Sequence, residues 1–411
     1  MILIECFTEA HVDNVAACLR LRPQTMVMVG DASEMATPVQ RYEKLFKERR
    51  ISVDIRTCDV KGKDFSEMAH QIYRLMQEEE DYVIDLTGGD ERVIMAVGAV
   101  VAGLDAPKRA RVRVEKYDHS RDVIRDFLED NNTVPAKPVT LTVEELVALH
   151  GGVVLGGDYQ PDEDVRLTEV DALWKLASSD PKTWNDGIST LNELESWSDS
   201  RKQVFLRLAY IPDGRDGIRD LDEKVKKARA LLDELGKIGV IRNWSREDVL
   251  EYTYTSSLLR YSTQKAGNIL EVKTLLEGRN VKDQGAPYFR DCQMSVSIDW
   301  DGEIHGPWSD TKDTRNEIDV VLMHGTTPLF ISCKNGKVDE DELYKLNTVA
   351  DRFGGPYAKK MLVATDLEQA IGKGSVKSFE QRAKDMDILL ITNAAELAKE
   401  KWREAFQKAM E

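Results

Sequence analysis

The 411 residues suffice for two or three domains with separate cores, and a composition of 42% hydrophobic and 32% charged residues is that of a globular protein. A formal charge of −16 excludes a chain that coats nucleic acid through bulk electrostatics, so any such contact must come from a local basic patch. Five scattered cysteines (Cys6, Cys18, Cys58, Cys292, Cys333) have neither paired nor zinc-type spacing, which predicts reduced thiols and a cytoplasmic protein. We expect no signal peptide, because the first residues lack a basic region and read as a strand, and no membrane span, because the longest apolar run, residues 93–104, is too short.

Residues 1–120 alternate strand and helix signals, the pattern of a mostly parallel, Rossmann-like sheet covered by helices. Strands are predicted at 2–7, 26–29, 51–56, 82–86 and 112–117. The clearest helix carries Phe65, Met68, Ala69, Ile72, Leu75 and Met76 at three-and-four spacing. Thr8 stands where the first strand ends, positioned to cap the next helix.

Residues 141–250 read as a helical connector. Thr142-Val143-Glu144-Glu145 is a capping-box start, and Gly151-Gly152 ends that helix. An acidic, glycine-rich loop, 156–164, follows, and then Trp174, Trp184 and Trp197 in helical contexts. Residues 221–241 resemble the recognition helix of a winged-helix domain running into its wing, although acids and bases alternate along it.

From 251 onward the order is helix (266–276), three strands (294–300, 318–323, 329–333), helix (340–352), strand (361–364), helix (379–386) and strand (388–391). This mixed unit, residues 251–411, holds the main chemical signal. Asp319 lies on a strand that begins polar and becomes apolar, and fifteen residues later comes Lys334, two past Ser332 and on the same face of its strand. A carboxylate for a divalent cation and a lysine to offset charge on a phosphorane-like transition state are what phosphodiester cleavage needs. Glu271, on the preceding helix, is a second candidate metal ligand. The main-chain carbonyl of Cys333 is a third, its thiol turned into the core. Oxygen donors suit Mg²⁺ or Mn²⁺. Ser332 stands where an acid is expected, and Glu317, Asp299, Asp301 and Asp310 are possible substitutes. Lys334, Lys337, Lys345, Arg352, Lys359 and Lys360 form a candidate basic patch.

Near the N-terminus, Thr87-Gly88-Gly89-Asp90 joins the fourth strand to an apolar helix. Two glycines there let a ligand approach the backbone, and a helix N-terminus favours a phosphate; equally, the segment reads as a tight turn with Thr87 capping the helix. Thr8 would meet the same crevice, at the carboxyl edge of the sheet. No dinucleotide fingerprint or P-loop is present.

The C-terminal order of elements resembles the core of the PD-(D/E)xK nuclease superfamily. The Thr87-Gly88-Gly89 turn with Thr8 resembles the CARF domain of type III CRISPR defence, and the segments Asn316-Glu317-Ile318-Asp319 and Ile331-Ser332-Cys333-Lys334-Asn335 resemble the nuclease half of the Card/Can-type ancillary nucleases. The resemblance implies a CARF domain over 1–140, the connector over 141–250 and a PD-(D/E)xK, restriction-endonuclease-like domain over 251–411. It further implies a homodimer binding one cyclic tetra-adenylate as allosteric activator, through Thr8, Thr87, Gly88 and Gly89. The nuclease domains would then cut DNA, and in some members RNA, with Asp319, Lys334 and Glu271 catalytic and Asp319, Glu271 and Cys333 holding Mn²⁺ or Mg²⁺. Two other readings use the same residues: a ligand-responsive DNA-binding regulator with an inactive nuclease domain, and a CARF crevice that slowly cleaves its own activator.

Overall fold

The computed structural model describes residues 1–77, 80–119, 121–128, 132–134, 137–155, 167–200, 202–245, 249–305 and 315–411; the loop 156–164 and Asp310 lie outside them. The N-terminal sheet has the order β3–β2–β1–β4–β5–β6–β7. Strands β1 (Ile2–Cys6), β2 (Thr25–Gly30), β3 (Asp54–Asp59), β4 (Tyr82–Asp85) and β5 (Val112–Asp118) are parallel. Two antiparallel strands, β6 (Val123–Asp126) and β7 (Thr133–Val134), extend one edge. Helices α1 (Asp13–Leu21), α2 (Ala32–Glu48), α3 (Phe65–Leu75), α4 (Glu91–Gly103) and the short α5 (Ala106–Arg109) make the connections.

Three local expectations fail here. Strand β3 begins at Asp54, because Ile51 closes the turn after α2 and is buried in the core, and an edge strand with mostly exposed side chains gives no apolar alternation to read. Thr8 does not cap a helix: α1 starts at Asp13, and among the described residues the Thr8 hydroxyl accepts only from Ala10 N, at 3.4 Å. Nor does Thr87 cap α4, whose N-cap is Asp90.

The connector opens with α6 (Val143–Leu149), where Thr142 and Glu145 make both bonds of the capping box. Strand β8 (Val153–Val154) then pairs with β14 of the C-terminal sheet. Helices α7 (Leu167–Ser179) and α8 (Pro181–Glu195) precede β9 (Gln203–Arg207), α9 (Leu221–Lys237), β10 (Ile241–Ser245) and β11 (Val249–Tyr254). The sheet order β10–β11–β9, with α9 leading into an antiparallel hairpin, is a winged-helix arrangement. Leu221, Val225, Ala228, Leu232 and Leu235 form the buried stripe of α9, so its charged face is left to solvent.

The C-terminal unit comprises α10 (Ser257–Gln264), α11 (Asn268–Arg279), a hairpin of β12 (Lys282–Asp283) and β13 (Ala286–Pro287), then β14 (Asp291–Asp299), β15 (Arg315–His324) and β16 (Thr327–Lys334). There follow α12 (Glu340–Gly354), β17 (Lys359–Ala364), α13 (Leu367–Ile371), α14 (Val376–Asp385), β18 (Ile388–Ile391) and α15 (Lys399–Met410). The sheet order is β18–β17–β16–β15–β14–β8, with β17 and β18 parallel to β16. That crossover divides the expected basic patch. Leu329 pairs with Lys359 and Lys334 with Ala364, so Lys359 and Lys360 lie at the far end of the sheet from Lys334, roughly 16 Å away at ~3.3 Å per residue.

One apolar cluster runs from Leu3, Met26 and Val83 of the first sheet through α6 to Phe330, Leu343 and Phe353, so the two sheets share a core. A second joins the winged-helix unit to α11, α15 and the opposite face of the C-terminal sheet. Among the described residues no helix is long and apolar enough to cross a membrane.

Candidate active site

Strands β15 and β16 pair from His324–Thr327 to Val320–Ile331, and there the ladder stops. One step on, the Cys333 N–H donates to Asp319 Oδ2 at 2.6 Å and the Ser332 hydroxyl adds a bond of 3.3 Å. On the other side the β14–β15 register passes from Met294–Val320 to Val296–Ile318, skipping Ser295 and Asp319, and Ser295 has φ +50°. A β-branch-free residue in the left-handed region marks a local kink. Asp319 therefore occupies a break in two ladders, where a carboxylate replaces main-chain partners.

Glu271 comes from the first turn of α11. Tyr261, on α10, donates from its hydroxyl to Glu271 Oε2 at 2.8 Å and shares a 2.5 Å bond with the Ser295 hydroxyl. Burial, then the Asp319 charge, pushes the Glu271 carboxyl up to about 7, with Tyr261 working against the shift. Burial also raises Asp319, opposed by Lys334 and the Cys333 N–H. Every described bond to Asp319 uses Oδ2, and that to Glu271 uses Oε2. Two half-buried acids that repel each other, each with an oxygen unbonded among the described residues, fit a hard divalent cation.

Lys334 Nζ lies 3.9 Å from Asp319 Oδ2 but 2.7 Å from Glu342 Oε2, in the first turn of α12. Burial disfavours the Lys334 charge, yet Asp319 and Glu342 together raise its pKa. Glu342 is lowered in spite of its burial, because Lys334 and Lys345 both bond it. The structure thus gathers Asp319, Glu271 and Lys334, and adds three residues the sequence did not single out: Glu342, Tyr261 and Ser295. An acid at the start of the following helix was the one available signal, and Glu342 stood there among Glu340 and Asp341. Of the suggested substitutes for the acid missing at Ser332, exposed Glu317 is near enough to raise both Glu271 and Asp319. Asp299 and Asp301 lie at the far end of β14, roughly 13 Å along the strand from Ser295, and form a separate group with His305. Cys333 points away, its thiol 3.6 Å from the Thr274 hydroxyl on α11.

At the N-terminal crevice, β1 and β4 end side by side. A Cβ on Gly88 would lie 2.3 Å from Thr8 Cγ2, and one on Gly89, at φ +115°, 2.5 Å from Cys6 Cβ, so both glycines are needed for this turn to pack against the end of β1. Thr87 is fixed from below: its N–H donates to Asp85 Oδ1 at 2.8 Å, its hydroxyl bonds the same oxygen, and it accepts from Tyr117 N at 2.7 Å. Asp85 belongs to a row of fully buried acids, Glu5–Asp85–Glu115, abreast on β1, β4 and β5.

From the crevice a set of side-chain contacts reaches the C-terminal end of α12. Asp13 on α1 pairs with His119 at 2.7 Å and accepts from the Tyr357 hydroxyl at 3.3 Å, and Tyr357 stacks on His119 at 3.5 Å. Tyr357 lies just beyond α12, the helix whose other end holds Glu342.

No curated protein sequence matches the chain. Among solved structures it superposes on protein VC1899 from Vibrio cholerae with a TM-score of 0.70 at 18% identity, covering 100% of this chain and 98% of that one. It also superposes on Can2 from Sulfobacillus thermosulfidooxidans, solved in complex with cyclic tetra-adenylate, with a TM-score of 0.63 at 15% identity, covering 100% and 99%. The chain shares the overall fold of both. Residues 264–406, which carry Glu271, Asp319, Lys334 and Glu342, match the family described as Card1-like, endonuclease domain. The C-terminal part of this chain is therefore a Card1-like endonuclease domain.

Proposed function

We propose that the protein is a metal-dependent nuclease of type III CRISPR defence, activated by cyclic tetra-adenylate bound between the N-terminal domains of a homodimer. The observation that carries the reading is the meeting of Glu271, Asp319 and Lys334 at a break in two strand ladders within an endonuclease domain. Glu271 and Asp319 would hold Mn²⁺ or Mg²⁺, which would supply Lewis-acid charge stabilisation and a more acidic attacking water. Asp319 is held by the Cys333 N–H, and Glu271 by Tyr261. Lys334, supported by Glu342, sets a positive charge beside the scissile phosphate, where charge develops. The exposed Glu317, close enough to raise both acids, would be a further oxygen donor to the same cation.

Thr8, Thr87, Gly88 and Gly89 line the activator's crevice. The path from Asp13 through His119 and Tyr357 to α12 supports a coupling in which activator contacts bear on Lys334 through Glu342. DNA is the expected substrate, with RNA as a second arm of the test. Purified protein is incubated with plasmid, single-stranded DNA and RNA, with and without cyclic tetra-adenylate and Mn²⁺ or Mg²⁺. Cleavage should require both, and Lys334→Ala should abolish it while activator binding is retained. Cutting that persists in that variant, or in EDTA, would refute the assignment.

A further inference from the structure

We propose a second cation site, separate from Glu271 and Asp319, formed by Asp299, Asp301 and His305 where the chain leaves β14. One ligand atom from each of the three lies within 4.8 Å of the others. Donors around a first-row transition ion, each about 2.0–2.2 Å from it, are separated by roughly 3 to 4.3 Å, so a small closure brings this group to bonding distance.

The second observation is Asp299 itself. It is 0% exposed and, among the described residues, its Oδ2 accepts only the Asp301 N–H, at 3.2 Å, and its Oδ1 has no partner. An enclosed carboxylate oxygen without a donor is costly, and a cation at its mouth removes that cost. The surrounding chain is folded to bring the group together. Gly302 takes φ +78°, a Cβ there would meet the Gly151 carbonyl oxygen at 2.6 Å, and one on Gly152 would meet the Asp299 carbonyl oxygen at 2.9 Å. The Asp301 Oδ1 accepts from Glu303 N, which leads the chain back so that His305 Nε2 lies 3.8 Å from Asp301 Oδ2.

An imidazole with two carboxylates selects a transition ion of the Zn²⁺ or Mn²⁺ class over Mg²⁺. The site's effect is structural: it fastens the end of β14, where Asp299 pairs with Val153 of β8, and so anchors the edge of the endonuclease sheet to the connector.

The probe is Zn²⁺ in equilibrium dialysis against excess Mg²⁺, with metal analysis and a thermal melt of the full chain. Wild type and Asp319→Ala should each retain one equivalent and melt higher with Zn²⁺. His305→Ala and Asp301→Asn, at less enclosed positions than Asp299, should bind it more weakly by upwards of about tenfold and lose the Zn²⁺-dependent melting shift. Retention unchanged by His305→Ala, or loss in Asp319→Ala with His305 intact, would overturn the proposal. Neither outcome bears on whether the protein cuts nucleic acid.

Discussion

Asp85→Asn isolates the buried acid row beneath the crevice. In the wild type, Asp85 is wholly enclosed, with Glu5 and Glu115 opposite it on the flanking strands. Burial, with a further contribution from Glu115, pushes its carboxyl from 3.8 up to about 7, although Thr87 bonds it in the charged form. Because the folded value is the higher one, the folded protein binds the extra proton. The associated stability is fully present below about pH 4 and is lost as the pH rises towards 7. At ~1.4 kcal/mol per pKa unit the whole shift is on the order of 4 kcal/mol. The amide keeps an acceptor for the Thr87 N–H and hydroxyl and removes the titration. Denaturant unfolding of the full chain at pH 5 and pH 8 should find the variant gaining on the wild type at the higher pH, by roughly 3 kcal/mol, the part of the shift that lies between pH 5 and 7. Activator affinity should be retained, since Thr87 keeps its support. A stability difference that is the same at both pH values would refute the reasoning.

Tyr261→Phe removes the hydroxyl that holds Glu271. A bond to a charged group contributes about 1.5–3 kcal/mol, so the Mn²⁺ concentration for half-maximal cleavage should rise by about tenfold or more, and an unchanged metal requirement would count against the assigned ligand. Glu342→Gln weakens the 2.7 Å contact to Lys334 and should slow single-turnover cleavage by about 10- to 100-fold with activator affinity intact; an unaltered rate would remove Glu342 from the mechanism. Gly88→Ala drives a methyl into Thr8 and should cost about 1–3 kcal/mol of packing together with activator affinity, measured by calorimetric titration with cyclic tetra-adenylate.

Much of this protein was readable from local pattern. Parallel alternation in the first 120 residues, the Thr142–Glu145 capping box, the strand at 388–391 and the Asp319–Lys334 pair depend on near neighbours, and near neighbours are what periodicity and spacing record. Strand β3 starts later than its predicted place, and no strand is predicted at β6 or β7, because an exposed edge strand and strands of four and two residues carry too little apolar alternation to read.

Tertiary structure alone decided the rest. Glu342 reaches Lys334 because a parallel crossover lays α12 against β16, and no spacing rule predicts which of its first acids will turn inward. The same crossover sends Lys359 and Lys360 to the opposite end of the sheet from Lys334. Glu5, Asp85 and Glu115 are far apart in sequence and became one buried row only when β4 was inserted between β1 and β5. Sequence determined which chemistry the chain carries, through residue types at short range; the folding of distant strands onto one another determined which of those groups meet, and in what charge environment.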